Sequence, residues 1–219
     1  MSLKLYAHPF SSYSQKVLIP LYENGINFEY QQVDHDDAVI QAELESLWPF
    51  KRFPVLVDNG RVLRESTVII EYLDVHYPGR QRFIPVDKDV ALEARFMDRF
   101  FDNYVMSAMQ KFVFDALRPA EKRDSLGVDE ARKTLDIAYR WLDTTMADRE
   151  WAAGNDFTLA DCAAAPSLFY ADWAYRIDAK FANVIAYRKR LLARPSFARA
   201  VDEARPYRQF FPLGAPDRD

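Results

Sequence analysis

Apolar and polar positions alternate in two short segments near the start of the chain. Leu3–Ala7 and residues 28–33 both show this period of two, which predicts two half-buried strands. Between them an apolar stripe recurs at helical spacing, and either Ser11 or Ser12 is placed to cap that helix. The pattern therefore predicts a strand, a helix and a second strand.

A hairpin signal follows in the next part of the chain. Residues 36–47 have the spacing of a weaker helix, and two short apolar runs come after it, Val55–Asp58 and 61–63. Asn59-Gly60 separates these runs, and this dipeptide is the strongest local signal for a tight turn between paired strands. The sequence therefore predicts a helix and then a two-stranded hairpin.

The next helix is predicted to have Ser66 as its N-cap and to end near residue 76. The order of elements over residues 1–78 is then βαβ-α-ββα. That order is typical of an α/β thioredoxin-like domain with a mixed four-stranded sheet. Residues 79–87 contain proline and glycine between charged residues and are predicted to be a linker.

Beyond the linker the chain shows helical periodicity only, so residues 88–219 are predicted to form an all-α C-terminal helical bundle. Thr158 and Asp161 have the spacing of a capping box, and Cys162 beside them is expected to pack in the core. The predicted helices span about 89–117, 121–147, 159–174, 181–193 and 196–204.

Composition and charge narrow the classes of function. Of the 219 residues, 49% are hydrophobic and 28% charged, which provides enough apolar material for a folded core. The formal net charge is -4 with no long run of one sign, so no nucleic-acid partner is expected. The sequence has neither a secretory signal pattern nor the roughly 18 consecutive apolar residues of a membrane span. Because Cys162 is the single cysteine, we expect a cytoplasmic protein without an internal disulfide.

Motifs for several kinds of catalysis are absent from the sequence. It has no G-x-S-x-G elbow, no phosphate-binding loop and no G-x-G-x-x-G dinucleotide fingerprint. The three histidines, His8, His35 and His76, are far apart and lack the spacing of metal ligands. Neither a metal nor chemistry that depends on these motifs is therefore expected.

Four segments carry a resemblance to a known family. Residues 5–13 are LYAHPFSSY, 48–56 are WPFKRFPVL, 64–67 are REST and 154–161 are GNDFTLAD. In this order they resemble the catalytic loop, the cis-proline segment, the Glu-Ser pair and the second-domain capping motif of cytosolic glutathione transferases. Trp48 and Lys51 stand where that family usually has Asn and Gly. Over nearly its whole length the chain is similar to a bacterial, serine-type glutathione S-transferase.

The resemblance implies a site for glutathione as co-substrate. Pro54 corresponds to the cis-proline of the family, and the backbone of Phe53 before it is expected to bind the cysteinyl part of the tripeptide. Arg52 is expected to pair with the glycyl carboxylate. Glu65 would take the γ-glutamyl ammonium, and Ser66 its α-carboxylate, since free N–H groups at a helix N-terminus bind anions.

Ser11 matches the family's catalytic serine and is expected to donate a hydrogen bond to the glutathione sulfur. A thiol with an ordinary pKa of about 8.5 is mostly protonated at neutral pH, and a charge-assisted bond contributes roughly 1.5 to 3 kcal/mol toward the thiolate. Ser12, Tyr13 and Ser14 in the same loop stay open as alternatives. Tyr6 does not, because it lies one step from the position of the tyrosine in tyrosine-type members, and one step reverses the face of a strand.

The second substrate is expected between the two domains. Phe10, Tyr13 and Tyr104 are predicted to line a hydrophobic-substrate site, Tyr104 through the aromatic stripe of the long helix after the linker. The tail residues Tyr207, Phe210 and Phe211 are placed to cover the same pocket. The leading prediction is a homodimeric glutathione transferase that directs the glutathione thiolate onto a small hydrophobic electrophile.

Two other functions stay open. A non-catalytic member of the family would serve as a binding or partner module, as stringent starvation proteins and elongation-factor subunits with this fold do. A glutathione-dependent isomerase or dehalogenase is the third possibility, since residues 11–14 resemble the serine-rich loop of zeta-type members apart from a missing cysteine. The presence together of Arg52, Pro54, Glu65 and Ser66 favours a working glutathione site.

Overall fold

The computed structural model describes residues 3–219, and its N-terminal part is built on one four-stranded sheet. The strands are β1 (Leu3–Ala7), β2 (Glu29–Gln32), β3 (Val55–Asp58) and β4 (Arg61–Arg64), in the spatial order β2-β1-β3-β4. β2 runs parallel to β1, whereas the pairs β1 with β3 and β3 with β4 are antiparallel. The predicted mixed four-stranded sheet is confirmed.

The turn between β3 and β4 has the chemistry that its sequence predicts. Asn59 and Gly60 adopt positive φ angles of 47° and 87°. Positive φ at both central residues is the pattern of a type I′ turn, which asparagine and glycine adopt at low cost. The turn sets the register in which Val55 lies opposite Arg64, and the chain leaves β4 from Arg64.

Three helices cover the two faces of this sheet. They are α1 (Ser12–Glu23), α2 (Ala38–Leu47) and α3 (Ser66–His76). Leu5 on β1 is buried in a core with α1 and α3, whereas its neighbour Tyr6 is buried on the opposite face with residues of α2. Successive side chains of a strand point to opposite faces, so β1 places the loop that follows it between two packed layers.

The start of α3 differs from the prediction by one residue. Ser66 is the first residue of the helix, and Glu65 occupies the N-cap position with a φ of 68°. The prediction that Ser66 caps the helix is wrong, and no side chain among residues 3–219 accepts a hydrogen bond as the N-cap of α3. An N-cap residue normally has an extended backbone. Here the turn out of β4 is made by the left-handed residue Glu65, so Ser66 is already helical.

The rest of the chain forms the predicted helical bundle. The predicted helix over 89–117 is present as α4, a π-helical turn (Phe101–Met106) and α5 in unbroken succession. The helices are α4 (Lys88–Phe100), α5 (Ser107–Ala116), α6 (Ser125–Thr145), α7 (Leu159–Ala174), α8 (Ala182–Leu192) and α9 (Pro195–Ala204). A short 3-10 segment, Arg205–Phe210, follows α9. None of the helices described within residues 3–219 is both long and apolar enough to cross a membrane.

Helix α7 is the centre of the bundle and is buried over almost its whole length. Its first turns are rich in small side chains, so neighbouring helices approach its backbone closely. These buried small residues are Ala160, Cys162, Ala163, Ala164 and Ala165. Helices α1 and α4 pack against α7, and one continuous hydrophobic core joins the sheet to the bundle. The predicted core position of Cys162 is confirmed.

The capping box at the start of α7 is confirmed and does more than cap the helix. One carboxylate oxygen of Asp161 accepts the N–H of Thr158 at 2.8 Å. The other accepts the N–H of Ala152 at 2.9 Å and the hydroxyl of Tyr187, on α8, at 2.5 Å. Asp161 is fully buried, so it fixes the loop before α7 and helix α8 from inside the core.

Replacing Asp161 with alanine is expected to lower the free energy of unfolding by about 3 kcal/mol, because buried N–H and O–H donors lose their acceptor. Tyr187→Phe removes only one of these donors and is expected to cost about 1 kcal/mol. Urea denaturation of the two variants and the wild type measures both values. Equal losses in the two variants would show that the carboxylate does not hold the loop.

Candidate functional site

A cleft of about 780 Å³ lies between the sheet and the helical bundle. Its sheet side consists of the loop after β1, the loop before β3 and the turn from β4 into α3. Its other wall comes from α4 through α5 and from the segment that follows α9. The predicted site residues in its lining are Phe10, Ser11, Tyr13, Arg52, Phe53, Pro54, Glu65 and Ser66.

In the serine-rich segment after β1, Ser11, Ser12 and Tyr13 face the cleft, whereas Ser14 does not. Ser11 is the N-cap of α1, and its Oγ accepts the N–H of Ser14 at 3.3 Å. Ser11, Ser12 and Tyr13 line the cleft. Ser14 is completely buried, and its Oγ accepts the N–H of His8 at 3.3 Å. Of the hydroxyl groups in this loop, Ser14 is therefore placed to support the loop rather than to meet a ligand.

His8 holds the same loop from the other side. Its Nδ1 accepts the N–H of Phe10 at 3.1 Å, and its Nε2 lies 3.6 Å from Asp34 Oδ1. Burial lowers the pKa of His8, and the nearby Asp34 carboxylate opposes that shift only in part. A neutral imidazole that accepts at Nδ1 is the form this geometry needs. No sequence pattern predicted this role, because it depends on the backbone N–H of Phe10.

Tyr13 contributes a neutral hydroxyl to the cleft. No residue within 3–219 makes a hydrogen bond to it. Burial raises the pKa of Tyr13 to about 12, and the negative charge of Asp102 adds to this effect. The phenol therefore stays protonated at neutral pH and is available as a donor.

The loop before β3 presents one free cation. The Phe53–Pro54 peptide bond is cis, and β3 starts directly after it. Lys51 pairs with Glu45 at 2.7 Å, whereas Arg52 makes no ion pair or hydrogen bond with any residue in the part of the chain described here. The side chain of Arg52 is exposed at the cleft and is available to an anion.

The turn into α3 presents an anion and a helix N-terminus side by side. The carboxylate of Glu65 is exposed at the cleft and has no hydrogen-bonding or ion-pair partner within residues 3–219. Ser66, buried beside it, begins a helix whose first N–H groups have no side-chain cap. Such a terminus attracts an anion through its free N–H groups and the helix dipole. A ligand that carries an ammonium next to a carboxylate would match both groups.

Tyr104, the remaining predicted site residue, lies outside the cleft lining. Its ring contacts Phe100 with centroids 5.9 Å apart, and it is 54% exposed. Phe100 in turn packs on Trp141 of α6, and Phe96 does the same. The predicted aromatic stripe exists, but it faces α6 rather than the cleft.

A different face of the same helices lines the cleft. It combines apolar residues with a few polar ones. Of the predicted cover from the end of the chain, Phe210 and Phe211 line the cleft, whereas Tyr207 does not and packs against the ring of His8 with centroids 4.6 Å apart. Sequence reasoning missed these helical residues because they do not form an aromatic stripe. They are Arg99, Asp102, Asn103, Met109, Gln110, Val113, Phe114 and Leu117.

Possible metal ligands are dispersed in the described part of the chain, and its cysteine is buried outside the cleft lining. Within residues 3–219, no three His, Cys, Asp or Glu side chains are grouped so that they could hold a metal ion. Cys162 is fully buried in α7, and burial raises the pKa of its thiol well above the ordinary value. Its position matches a packing role rather than that of a nucleophile.

Comparison with protein families assigns both parts of the chain. The family model described as "Glutathione S-transferase, N-terminal domain" matches residues 5–81. The one described as "Glutathione S-transferase, C-terminal domain" matches residues 104–195. The first match includes every loop of the sheet domain that lines the cleft.

Individual proteins show the same likeness. A probable glutathione S-transferase of Nicotiana tabacum is 31% identical over 162 residues, which are 74% of this chain and 68% of the relative. A stringent starvation protein A homolog of Coxiella burnetii is 27% identical over 204 residues, 92% of each chain. The crystal structure of a glutathione S-transferase from Methylobacillus flagellatus with glutathione bound has a TM-score of 0.83 at 27% identity, covering 91% of this chain and 98% of that one.

Protonation of His8 is expected to weaken the loop after β1, because Nδ1 then no longer accepts the N–H of Phe10. Since the folded pKa lies below the ordinary 6.5, this stability is complete above pH 6.5 and is lost as the pH falls through the lower folded value. His8→Asn keeps an acceptor without the titration. The difference in unfolding free energy between wild type and this variant should therefore shrink on acidification. An imidazole resonance of His8 that titrates at or above 6.5 would contradict the prediction.

Proposed function

The chain belongs to the glutathione S-transferase family, and we propose that it is a serine-type transferase that activates glutathione through Ser11. The observation that supports this most strongly is the set of unpaired groups at one cleft. The hydroxyl hydrogen of Ser11, the charges of Arg52 and Glu65, and the first N–H groups of α3 have no protein partner within residues 3–219. Glutathione, with one thiol, one ammonium and two carboxylates, complements each of them.

At the thiol of the cysteinyl residue, Ser11 is proposed to donate to the sulfur. The Oγ of Ser11 already accepts the N–H of Ser14, which orients the hydroxyl and leaves its hydrogen free. A charge-assisted bond of roughly 1.5 to 3 kcal/mol would lower the thiol pKa by about one to two units. The N-terminus of α1 adds a smaller favourable field for the thiolate.

At the γ-glutamyl end, α3 and Glu65 are proposed to act together. The free N–H groups at the start of α3, with Ser66, would bind the α-carboxylate, and the carboxylate of Glu65 would bind the ammonium. Glu65 is the N-cap residue of α3 and has a positive φ. Its side chain therefore leaves the backbone immediately before the first helical N–H groups. The two opposite charges of the ligand therefore meet two opposite charges of the protein.

At the middle and glycyl end, the loop before β3 is proposed to bind the peptide backbone. Arg52 would pair with the glycyl carboxylate as a surface-exposed ion pair, so its effect on affinity should decline with added salt. The backbone of Phe53 would bind the cysteinyl part, and Pro54, which follows it through a cis bond, sets the direction of that backbone.

The electrophile is proposed to occupy the apolar part of the cleft beside Ser11. Phe10 and Tyr13 line it from the sheet domain. Phe210 and Phe211 line it from the segment after α9, and the Phe211 ring lies 6.5 Å from that of Phe10. Aromatic walls suit a small hydrophobic molecule, and the neutral hydroxyl of Tyr13 gives it one hydrogen-bond donor.

The rival functions make different demands on this cleft. A partner module does not require free charges placed to bind a zwitterionic peptide. An isomerase or dehalogenase would use the same glutathione groups and differ only in the second substrate. The free Arg52 and Glu65 therefore favour a glutathione-dependent enzyme over a module, and conjugation is the proposal among the enzymes.

The assembly is proposed to be a cytoplasmic homodimer. Helices α4 and α6 expose an apolar patch in which Phe96 and Trp141 meet edge to face with centroids 5.9 Å apart. Leu92 and Ile137, each one helical turn away, are about two-thirds exposed and extend it. An apolar surface of this kind marks an interaction site, and the family resemblance favours a second copy of this chain as the partner.

Ser11→Ala is expected to raise the thiol pKa of bound glutathione by about one to two units, because the hydrogen bond to the thiolate is lost. The measurement is the ultraviolet absorbance of the thiolate, titrated over about pH 5 to 9 with saturating glutathione. Ser12→Ala, a change of the neighbouring hydroxyl in the same cleft, is the matched control and should leave the pKa near the wild-type value.

Each other result of this titration has a definite meaning. A raised pKa in Ser12→Ala alone would move the catalytic role to Ser12. An unchanged pKa in both variants would leave Tyr13 as the donor. If wild type does not bind glutathione at all, the partner-module function replaces the enzyme.

Phe96→Glu is expected to convert the dimer to monomer, since it places a charge at the centre of the apolar patch on α4 and α6. Light scattering coupled to size-exclusion chromatography measures the molar mass at micromolar concentration. Ile185→Glu changes an exposed apolar residue on α8 and should leave the dimer intact. A wild-type protein that elutes as a monomer would contradict the proposed assembly.

A further inference from the structure

We infer, as a consequence of the proposed function, that Lys16 is a positioning residue for the glutathione site. Its ammonium group links the start of α3 to α1 and ties both helices to the bundle through Asp98 and Asp102. In the proposed function the N-terminus of α1 meets the thiol of glutathione and the N-terminus of α3 binds its γ-glutamyl end. Lys16 is not part of the cleft lining, so it acts through the residues that it holds.

The ammonium of Lys16 is completely enclosed. The side chain is 1% exposed, and Nζ lies 2.6 Å from Asp98 Oδ1 and 2.8 Å from Asp102 Oδ2. It also donates to Thr67 Oγ1 at 3.0 Å. An ammonium group has three N–H donors and no acceptor, so these contacts match its full hydrogen-bonding capacity.

Lys16, Thr67, Asp98 and Asp102 form a polar cluster with Arg99, which lies on the side of the cleft. Its guanidinium donates to Asp98 and Asp102, both at 2.6 Å, and to Thr67 Oγ1 at 2.5 Å. The Thr67 hydroxyl donates in turn to Asp98 at 3.0 Å. Two cations balance two carboxylates, and because Arg99 and Asp102 line the cleft, the cluster extends from the core to its wall.

Stability alone does not account for this arrangement. Apolar neighbours in α1, among them Val17, Leu18 and Leu21, are completely buried and already pack the helix against the core. Replacing a buried ion cluster by apolar side chains of similar size is often neutral or stabilising, because burying charges is costly. Hydrogen bonds differ from apolar contacts in fixing both a distance and a direction. Precise placement of α3 relative to α1 is therefore the effect we assign to the cluster.

The position of Thr67 explains why that placement matters for glutathione. Thr67 directly follows Ser66, so its bond to Lys16 connects the first turn of α3 to the middle of α1. Ser11 stands at the start of α1. A displacement of about 1 Å between groups that bind one small molecule strongly reduces their combined effect. Loss of the cluster is therefore expected to weaken glutathione binding without removing any group that touches it.

The least disruptive test variant is Thr67→Val, because valine has nearly the same shape as threonine and lacks only its hydroxyl group. Lys16 keeps both carboxylates in this variant, so no buried charge is left unpaired. The dissociation constant for glutathione, measured by titration calorimetry, is expected to rise about tenfold, equivalent to about 1.4 kcal/mol. The fitted stoichiometry should stay at the wild-type value, because a merely structural defect lowers the folded fraction and not the affinity of the folded protein.

A second variant removes Lys16 itself. Lys16→Met alone leaves two buried carboxylates with one cation, so it is combined with Asp98→Asn, which restores the charge balance with Arg99 and Asp102. The same calorimetry should again show a rise of about tenfold in the dissociation constant. Lys16→Arg, which keeps the charge and several donors, should recover part of the affinity.

Arg194→Met is the matched control. Arg194 on the α8–α9 junction pairs with Glu23 at the other end of α1 at 2.7 Å, so it also links α1 to the bundle. This variant should lose stability in urea denaturation with an unchanged dissociation constant for glutathione.

The outcomes separate the inference from the function on which it rests. Dissociation constants within twofold of wild type in both cluster variants would overturn the role of Lys16 while leaving the proposed function intact. An equal rise in Arg194→Met would overturn it as well, because general loosening would then be the cause. Failure of wild type itself to bind glutathione would refute the proposed function, and the inference with it.

Discussion

Three consecutive polar residues of α1, Ser14, Gln15 and Lys16, are completely buried, and the candidate site is organised by the hydrogen bonds they make. They lie out of contact with solvent, where polar groups depend on partners within the protein. Ser14 accepts from the backbone of His8, and Gln15 donates to the hydroxyl of Tyr170 on α7. Lys16 reaches α3 and α4. Helix α1 is thus hydrogen-bonded to the loop that precedes it, to the central helix α7 and to α3, whose N-terminus lies at the cleft.

Some charged side chains near the cleft are paired within the protein and others are not. This difference determines what the cleft can bind. Lys51 is occupied by Glu45, and Arg64 donates to a backbone carbonyl at 2.6 Å. These two cations hold the loops through contacts within the protein. Arg52 and Glu65, in contrast, face the cleft without partners in the chain from residue 3 onward. Among residues 3–219 the cleft therefore offers one unpaired cation and one unpaired anion, and such preorganised charges favour binding of a flexible ligand.

Local patterns predicted the fold well, whereas the orientation of long-range elements could not be predicted. Asn59 and Gly60 specify their turn through backbone preferences alone, so the hairpin was accessible from the sequence. The aromatic stripe through Tyr104 has the predicted spacing, but its direction is decided by contacts around Trp141 on a distant helix. The role of Lys16 was equally hidden, since one of its carboxylates lies 86 residues away in the sequence. The spacing of residues along a helix predicts which side chains share a face. Which element that face packs against depends on tertiary contacts.

Sequence similarity does not by itself establish the activity, because a probable glutathione S-transferase and a stringent starvation protein A homolog are both relatives of this chain. The distinction has to come from groups that the fold does not need. Asp161 is buried and bonded, so the fold itself accounts for its partners. Ser11 donates its hydroxyl hydrogen to no residue within 3–219, and Arg52 and Glu65 contribute nothing to the core. Groups that keep unused hydrogen-bonding or charge capacity and converge on one cleft are best explained by a ligand, which is why the cleft, more than the fold, supports the proposal of a glutathione-dependent enzyme.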